Sequence, residues 1–140
     1  MKILVIDGQG GKMGKTIIEQ LKITIPKCDI IALGTNSIAT SAMLKAGADH
    51  AATGENPVVF NCTDADIIVG SMGIIVANSY MGEITPAMAN AVSKSKAAKV
   101  LIPINRCNMF VAGIEELPFG EYTRLAAQKV KEIIENQSKD

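Results

Sequence analysis

The stretch VIDGQGGKMGKTIIEQL, Val5 to Leu21, joins two apolar segments through four glycines in seven residues. Before the glycines, Lys2 to Asp7 (KILVID) is nearly continuous apolar sequence, as a central parallel strand buried on both faces requires. After them, Met13, Ile17, Ile18 and Leu21 recur at i, i+4, i+5 and i+8, a helical stripe that Pro26 stops. Strand, glycine-rich turn and helix follow in the order that places helix-start N–H groups against a bound anion.

Two phosphate-binding motifs compete for this loop. Gly14-Lys15-Thr16 ends as a P-loop does, but that motif requires glycine at position 9, where Gln9 stands. Gly8 is one residue too far away, and a nest works only if successive N–H groups aim at one phosphate. No later strand ends in an acid to help hold Mg²⁺: the run to Gly70 ends in glycine, and the run to Ile104 is followed by Asn105. The strict dinucleotide pattern G-x-G-x-x-G also fails, with Met13 at its third glycine. The related spacing G-x-x-G-x-x-G fits through Gly8, Gly11 and Gly14. In that reading Gly8 makes the tight turn, Gly10 or Gly11 lets a phosphate approach the backbone, and Gly14 lets the helix lie close on the sheet.

The flanking charges leave alternatives open. Lys12 and Lys15 oppose the helix dipole by about 0.3–1 kcal/mol each, so they either flank an anion or point into water. Asp7 repels an anion unless it is paired, one of those lysines being an available partner. NAD sites place an acid about 20 residues on, at the end of the second strand, and NADP sites an Arg. Here that strand ends in Gly34-Thr35-Asn36-Ser37, which can hydrogen-bond a ribose or another polar ligand but selects neither cofactor. The Tyr-x-x-x-Lys pair of short-chain reductases is absent, since Ile84 and Ala126 follow Tyr80 and Tyr122 at that offset.

The rest of the chain alternates strand-length apolar runs with helical periods, an α/β pattern. Strands are expected over Cys28–Gly34, Ala48–Thr53, Ala65–Gly70 and Lys99–Ile104, with a short sixth over Met109–Ile114. Helices are expected after Asn36 or Ser37 as N-cap with Gly47 as stop, after an Asn56 cap with Pro57 at N1, and after Thr85 with Pro86 at N1. An amphipathic helix is expected over Glu121–Asn136. Residues 71–83 carry no clear period. Right-handed crossovers fold this series into a three-layer α/β/α Rossmann-like domain spanning residues 1–140, with a mostly parallel sheet of five or six strands. Ligands of such sheets sit beyond the strands' carboxyl ends. The loops there hold Gly8, Gln9, Gly10, Gly11, Lys12, Met13, Gly14 and Lys15, then Thr35, Asn36 and Ser37, then Gly70 and Ser71, then Asn105 and Arg106. Glycine and asparagine also serve such turns for steric reasons alone.

Composition narrows the function classes. The 140 residues are 48% apolar and 20% charged, with zero formal net charge, so no single-sign field steers nucleic acid or a membrane. Aromatics are 4% and Trp is absent, against a base-stacking surface. Cys28, Cys62 and Cys107 are far apart and form no C-x-x-C, so no metal is implied. The N-terminal apolar run is too short for a signal peptide or membrane span, and a cytoplasmic protein is expected. His50, the one histidine, has no motif serine near it and reads as structural or surface. Cys107 reads first as a small buried or half-buried thiol, the alternative being a reactive one with its pKa lowered by Arg106 beside it, and Arg106 itself suits a carboxylate or phosphate. The seven methionines read as core filler or subunit interface.

VIDGQGGKMGK, with ALGTNSIATSAMLKAGAD, ATGENPVV, GEITPAM and LIPINRCN, resembles a family of short bacterial proteins of unknown function across nearly the whole chain. That resemblance implies a stand-alone domain and brings no catalytic residues. More distantly, Gly8-x-x-Gly11-x-Met13-Gly14 is similar to the cofactor loop of dihydrodipicolinate reductase, whose separate catalytic domain has no counterpart here. The expected function is a nucleotide or dinucleotide, NAD(P)-type, binding module or sensor for a small anionic ligand. The alternatives are a small enzyme on a phosphorylated or carboxylated metabolite, completed by a homodimer and using Asp7, Arg106 and Cys107, and a non-catalytic interaction protein.

Overall fold

The computed structural model describes residues 1–104 and 108–139. Five strands, all parallel, form one sheet in the order β3-β2-β1-β4-β5. They are β1 (Ile3–Asp7), β2 (Ile30–Gly34), β3 (His50–Thr53), β4 (Ile67–Ser71) and β5 (Ala98–Ile102). The helices are α1 (Lys12–Thr24), α2 (Ser37–Lys45), α3 (Glu55–Cys62), α4 (Pro86–Lys94) and α5 (Phe119–Ser138), with a 3₁₀ turn over Met72–Ile75. The sheet with helices on both faces is the three-layer Rossmann-like architecture.

Alternation along β1 builds both halves of the core. Ile3 and Val5 face α1, α2 and α5 through Ile17, Ile18, Leu21, Met43 and Val130. Leu4 and Ile6 face α3 and α4 through Val58, Cys62, Met88 and Val92. Each such aliphatic side chain contributes about 1.5–3 kcal/mol when fully buried. β1 lies between β2 and β4, with Val5 opposite both Ala32 and Val69. The strand order therefore reverses beside β1, and Asp7 stands at the carboxyl end of that switch point, opposite Gly34.

The local signals in the sequence account for most helix ends. Asn36 caps α2 by accepting the Ala39 N–H at 2.9 Å, and Thr85 caps α4 by accepting that of Met88 at 3.2 Å. α3 departs from expectation. It starts at Glu55 after Gly54, whose N–H is bound to the Gly34 carbonyl of β2. That sheet contact fixes the start, and Pro57 still falls in the first turn, where no N–H is needed. The expected sixth strand is absent among the described residues. Asn108 and Gly113 are left-handed and break the apolar run, while Phe110, Val111 and Ile114 are exposed. β5 ends at Ile102, before Pro103.

Candidate functional site

The turn from β1 to α1 is held by its own hydrogen bonds. Asp7, 4% exposed, accepts the Gly8 N–H at Oδ1 (2.8 Å) and the Gly14 N–H at Oδ2 (2.7 Å). The carboxylate thus sits on the first turn of α1, where negative charge is favourable. Two of Asp7's donors are therefore backbone N–H groups, and among the described residues no ion pair joins it to Lys12 or Lys15. Gly11 adopts φ 77°, and a Cβ there would stand 2.8 Å from Ala39 Cα. Gly10 differs, since a Cβ on it would meet nothing within 4 Å. Of the two glycines open to a phosphate-approach role, Gly11 is therefore required by the protein's own packing. Gly10 is not.

A second carboxylate reaches the loop from the chain after β4. Glu83 Oε1 accepts the Gln9 N–H (2.9 Å), the Thr35 hydroxyl (2.5 Å) and the Asn36 amide (2.7 Å). Burial pushes the Glu83 carboxyl up, but the hydrogen bonds from Thr35, Gln9 and Asn36 outweigh it and hold it below the ordinary range. The Asn36 amide also donates to the Gln9 carbonyl at 3.0 Å. Thr35 and Asn36, expected as ribose contacts, thus bond within the protein.

Around this turn lies a cavity of about 290 Å³. Residues 7–13 form one wall, Ser71, Gly73 and Tyr80 another, and Ile104, Met109 and Phe119 the apolar end. Ser71 and Tyr80 hydroxyls are hydrogen-bonded to each other, and the Gly73 N–H donates to Ser71 Oγ at 3.1 Å. Lys12 lines the cavity with its ammonium 5.3 Å from the Phe119 ring centroid, a cation–π distance. It is the only cation in the lining among the described residues. The N–H groups of Gly10, Lys12 and Met13 have no acceptor among the described residues.

The expected site residues separate into groups. Gly8 through Met13 and Ser71 meet at the cavity. Gly14 lies behind it, its Cα against Asp7 and Met43. Lys15 points away, its ammonium 4.0 Å from Glu19, and shares a groove between α1 and α2 with the exposed Ser37. Gly70 makes room for Ile74 and the Ile6 carbonyl. Asn105 and Arg106, with Cys107, lie outside the described residues. The sequence reading missed Tyr80, Glu83 and Phe119. Tyr80 has φ 57°, and Asn78, Met81 and Gly82 are left-handed beside it, so residues 78–82 form a strained turn against the cavity. The visible signal was a segment without period at a strand's carboxyl end.

Among the described residues no group of three or more His, Cys, Asp or Glu could hold a metal, and no helix is long and apolar enough to cross a membrane. The solved structure of a dodecameric FMN-dependent UbiX-like decarboxylase from Escherichia coli O157:H7 is 16% identical to this chain. It aligns over 94% of this chain and 76% of that one, with a TM-score of 0.47, a distance at which shared chemistry does not follow. No curated protein sequence matches. A family model described as a domain of unknown function, DUF3842, matches residues 2–135, and the chain belongs to that family.

Proposed function

We propose that this protein binds a small phosphorylated ligand, a mononucleotide included, with the phosphate at the N-terminus of α1. The observation that carries the reading is the wall of the 290 Å³ cavity: the backbone of Gly10, Lys12 and Met13, with the Lys12 ammonium beside it. Helix-start N–H groups and a cation together favour an anion. The opposite wall supplies the Ser71 and Tyr80 hydroxyls, and Phe119, Met109 and Ile104 supply an apolar end for the ligand's body. The volume lies at the lower end of the roughly 300–1,000 Å³ of small-molecule sites, which favours a compact ligand over an extended cofactor.

Gly10 tests this reading directly. A methyl at Gly10 finds open space in the free protein but would stand where a phosphate approaches the backbone. Isothermal titration with inorganic phosphate and AMP should show binding to the native chain. Gly10→Ala should weaken it at least tenfold while the protein stays folded with a melting temperature within a few degrees of native, and Lys12→Ala should weaken it less. No heat from either probe at millimolar concentration, or an unaffected Gly10→Ala, removes the proposal.

A further inference from the structure

We propose that Glu83 sets the size limit of the ligand, closing the β2 side of the site and confining the bound molecule to a compact phosphate monoester. This rests on the phosphate reading above and adds which ligands are refused. In doubly wound sheets a dinucleotide crosses the switch point, its diphosphate over the glycine turn and a ribose at the tip of β2, where an acid accepts the ribose hydroxyls. In this chain the tip of β2 carries Thr35 and Asn36, and an acid does stand beside them. It comes from the chain after β4 and faces inward. One oxygen of Glu83 takes donors from both loops: Gln9 N–H, the Thr35 hydroxyl and the Asn36 amide. The polar groups that would hold a ribose are thereby bonded to the protein itself.

The path to that tip is also filled. A Cβ on Gly8 would stand 2.6 Å from Thr35 Oγ1, 2.9 Å from Tyr80 Cδ2 and 3.0 Å from Glu83 Oε1. Tyr80 and Glu83 therefore cross the carboxyl end of β1 in direct contact with the turn. Their segment is anchored as a wall. Asn78 N–H donates to the Ile84 carbonyl at 2.7 Å, Ile84 N–H to the Ser79 carbonyl at 3.1 Å, and the Ile84 side chain is fully buried. A diphosphate running from α1 towards β2 would meet the Tyr80 ring and then a carboxylate of its own sign. Among the described residues, the side left open is the one bounded by Ser71, Ile104 and Phe119.

The test measures the affinities of AMP and NAD⁺ for the full chain, native and Glu83→Ala, by isothermal titration, with circular dichroism as the check on folding. The native protein should bind AMP at least tenfold more tightly than NAD⁺. In Glu83→Ala the ratio of NAD⁺ to AMP affinity should rise at least tenfold, because Thr35 and Asn36 regain free donors. Should the alanine variant fail to fold, Glu83→Gln, which removes the charge and keeps one acceptor oxygen, should raise that ratio at least threefold. A native protein that binds NAD⁺ as tightly as AMP overturns the inference and leaves the phosphate site standing. So does a folded variant that binds AMP with an unchanged ratio. If neither form binds either probe, the phosphate reading and the inference fall together; if only the variant binds NAD⁺, the size limit is upheld.

Discussion

Asp7 and Gly14 are joined by a 2.7 Å hydrogen bond from the Gly14 N–H to the Asp7 carboxylate, which also accepts the Gly8 N–H at 2.8 Å. One buried side chain thereby closes the turn at both ends and caps α1. Stability and anion binding pull against each other here, because the same charge that holds the turn lines the proposed phosphate cavity. Asp7→Asn keeps one acceptor oxygen and turns an NH₂ towards the other N–H. The cost should be about 1–3 kcal/mol, that of leaving a buried donor unsatisfied. A lower urea midpoint at unchanged slope would show it. Phosphate affinity should rise in the same variant, since a negative charge leaves the cavity. A variant that loses both stability and affinity would place Asp7 on the ligand's side of the site.

The two central glycines of the loop should separate cleanly in stability. Gly11→Ala forces a side chain into φ 77° and against Ala39 Cα. The left-handed conformation alone costs about 1–2 kcal/mol, and the clash adds to it. Gly10→Ala meets nothing and should leave the unfolding free energy within about 1 kcal/mol of native, or slightly raise it by restricting the unfolded chain. Chemical denaturation of the pair checks this. Equal losses would mean the turn changes shape in solution.

The legible part of this molecule was local chemistry. The strand–turn–helix of residues 5–21 and the Asn36 and Thr85 caps follow from residue types a few positions apart, and the structure has them. The Glu83 contacts were not legible, because they join residues 48 and 47 positions apart in sequence, Thr35 and Asn36. Neither propensity nor period encodes such a pairing. The absence of an acid at the end of β2 was read correctly from the sequence, yet an acid arrives there through the fold. The sixth strand was misread because apolar content at Met109–Ile114 outweighed its breakers in the pattern, whereas in the fold Asn108 and Gly113 turn the chain. The start of α3 at Glu55 follows from a bond between Gly54 and Gly34, again a contact invisible to local rules.

Two carboxylates make stability fall on the acid side. Hydrogen bonds from Thr35, Gln9 and Asn36 outweigh burial to hold Glu83 low. The hydrogen bond from Lys22, then that from the Ile30 N–H, holds Asp49 low. A carboxyl group lowered in the folded state contributes stability that is full above its unfolded value, about 4 for both types. The contribution is lost as the pH falls through the folded value. The urea midpoint should therefore change little between about pH 8 and pH 5 on account of these groups and decline below about pH 4. Glu83→Gln and Asp49→Asn should each lower the midpoint at neutral pH and make the acid decline shallower. Asp49 is well solvated, so its share should be the smaller. A decline of unchanged steepness in both variants would assign the acid sensitivity to other groups.

Cys62 should be a silent thiol until α3 opens. It is 2% exposed in the core beside Val58 and Val92, and burial pushes its pKa up to about 11. Only the thiolate is nucleophilic. At pH 7.5 a thiol of that pKa is ionised to roughly three parts in ten thousand. Cys28 is half-buried, and burial raises it as well, with Lys22 acting in the opposite direction. Iodoacetamide labelling resolved by peptide mass spectrometry should modify Cys28 slowly in the native protein. Cys62 should react only as denaturant is added, at a rate that tracks the population of the open state. Native-state labelling of Cys62 as fast as that of an unstructured peptide would show that α3 detaches from the sheet far below the global unfolding transition.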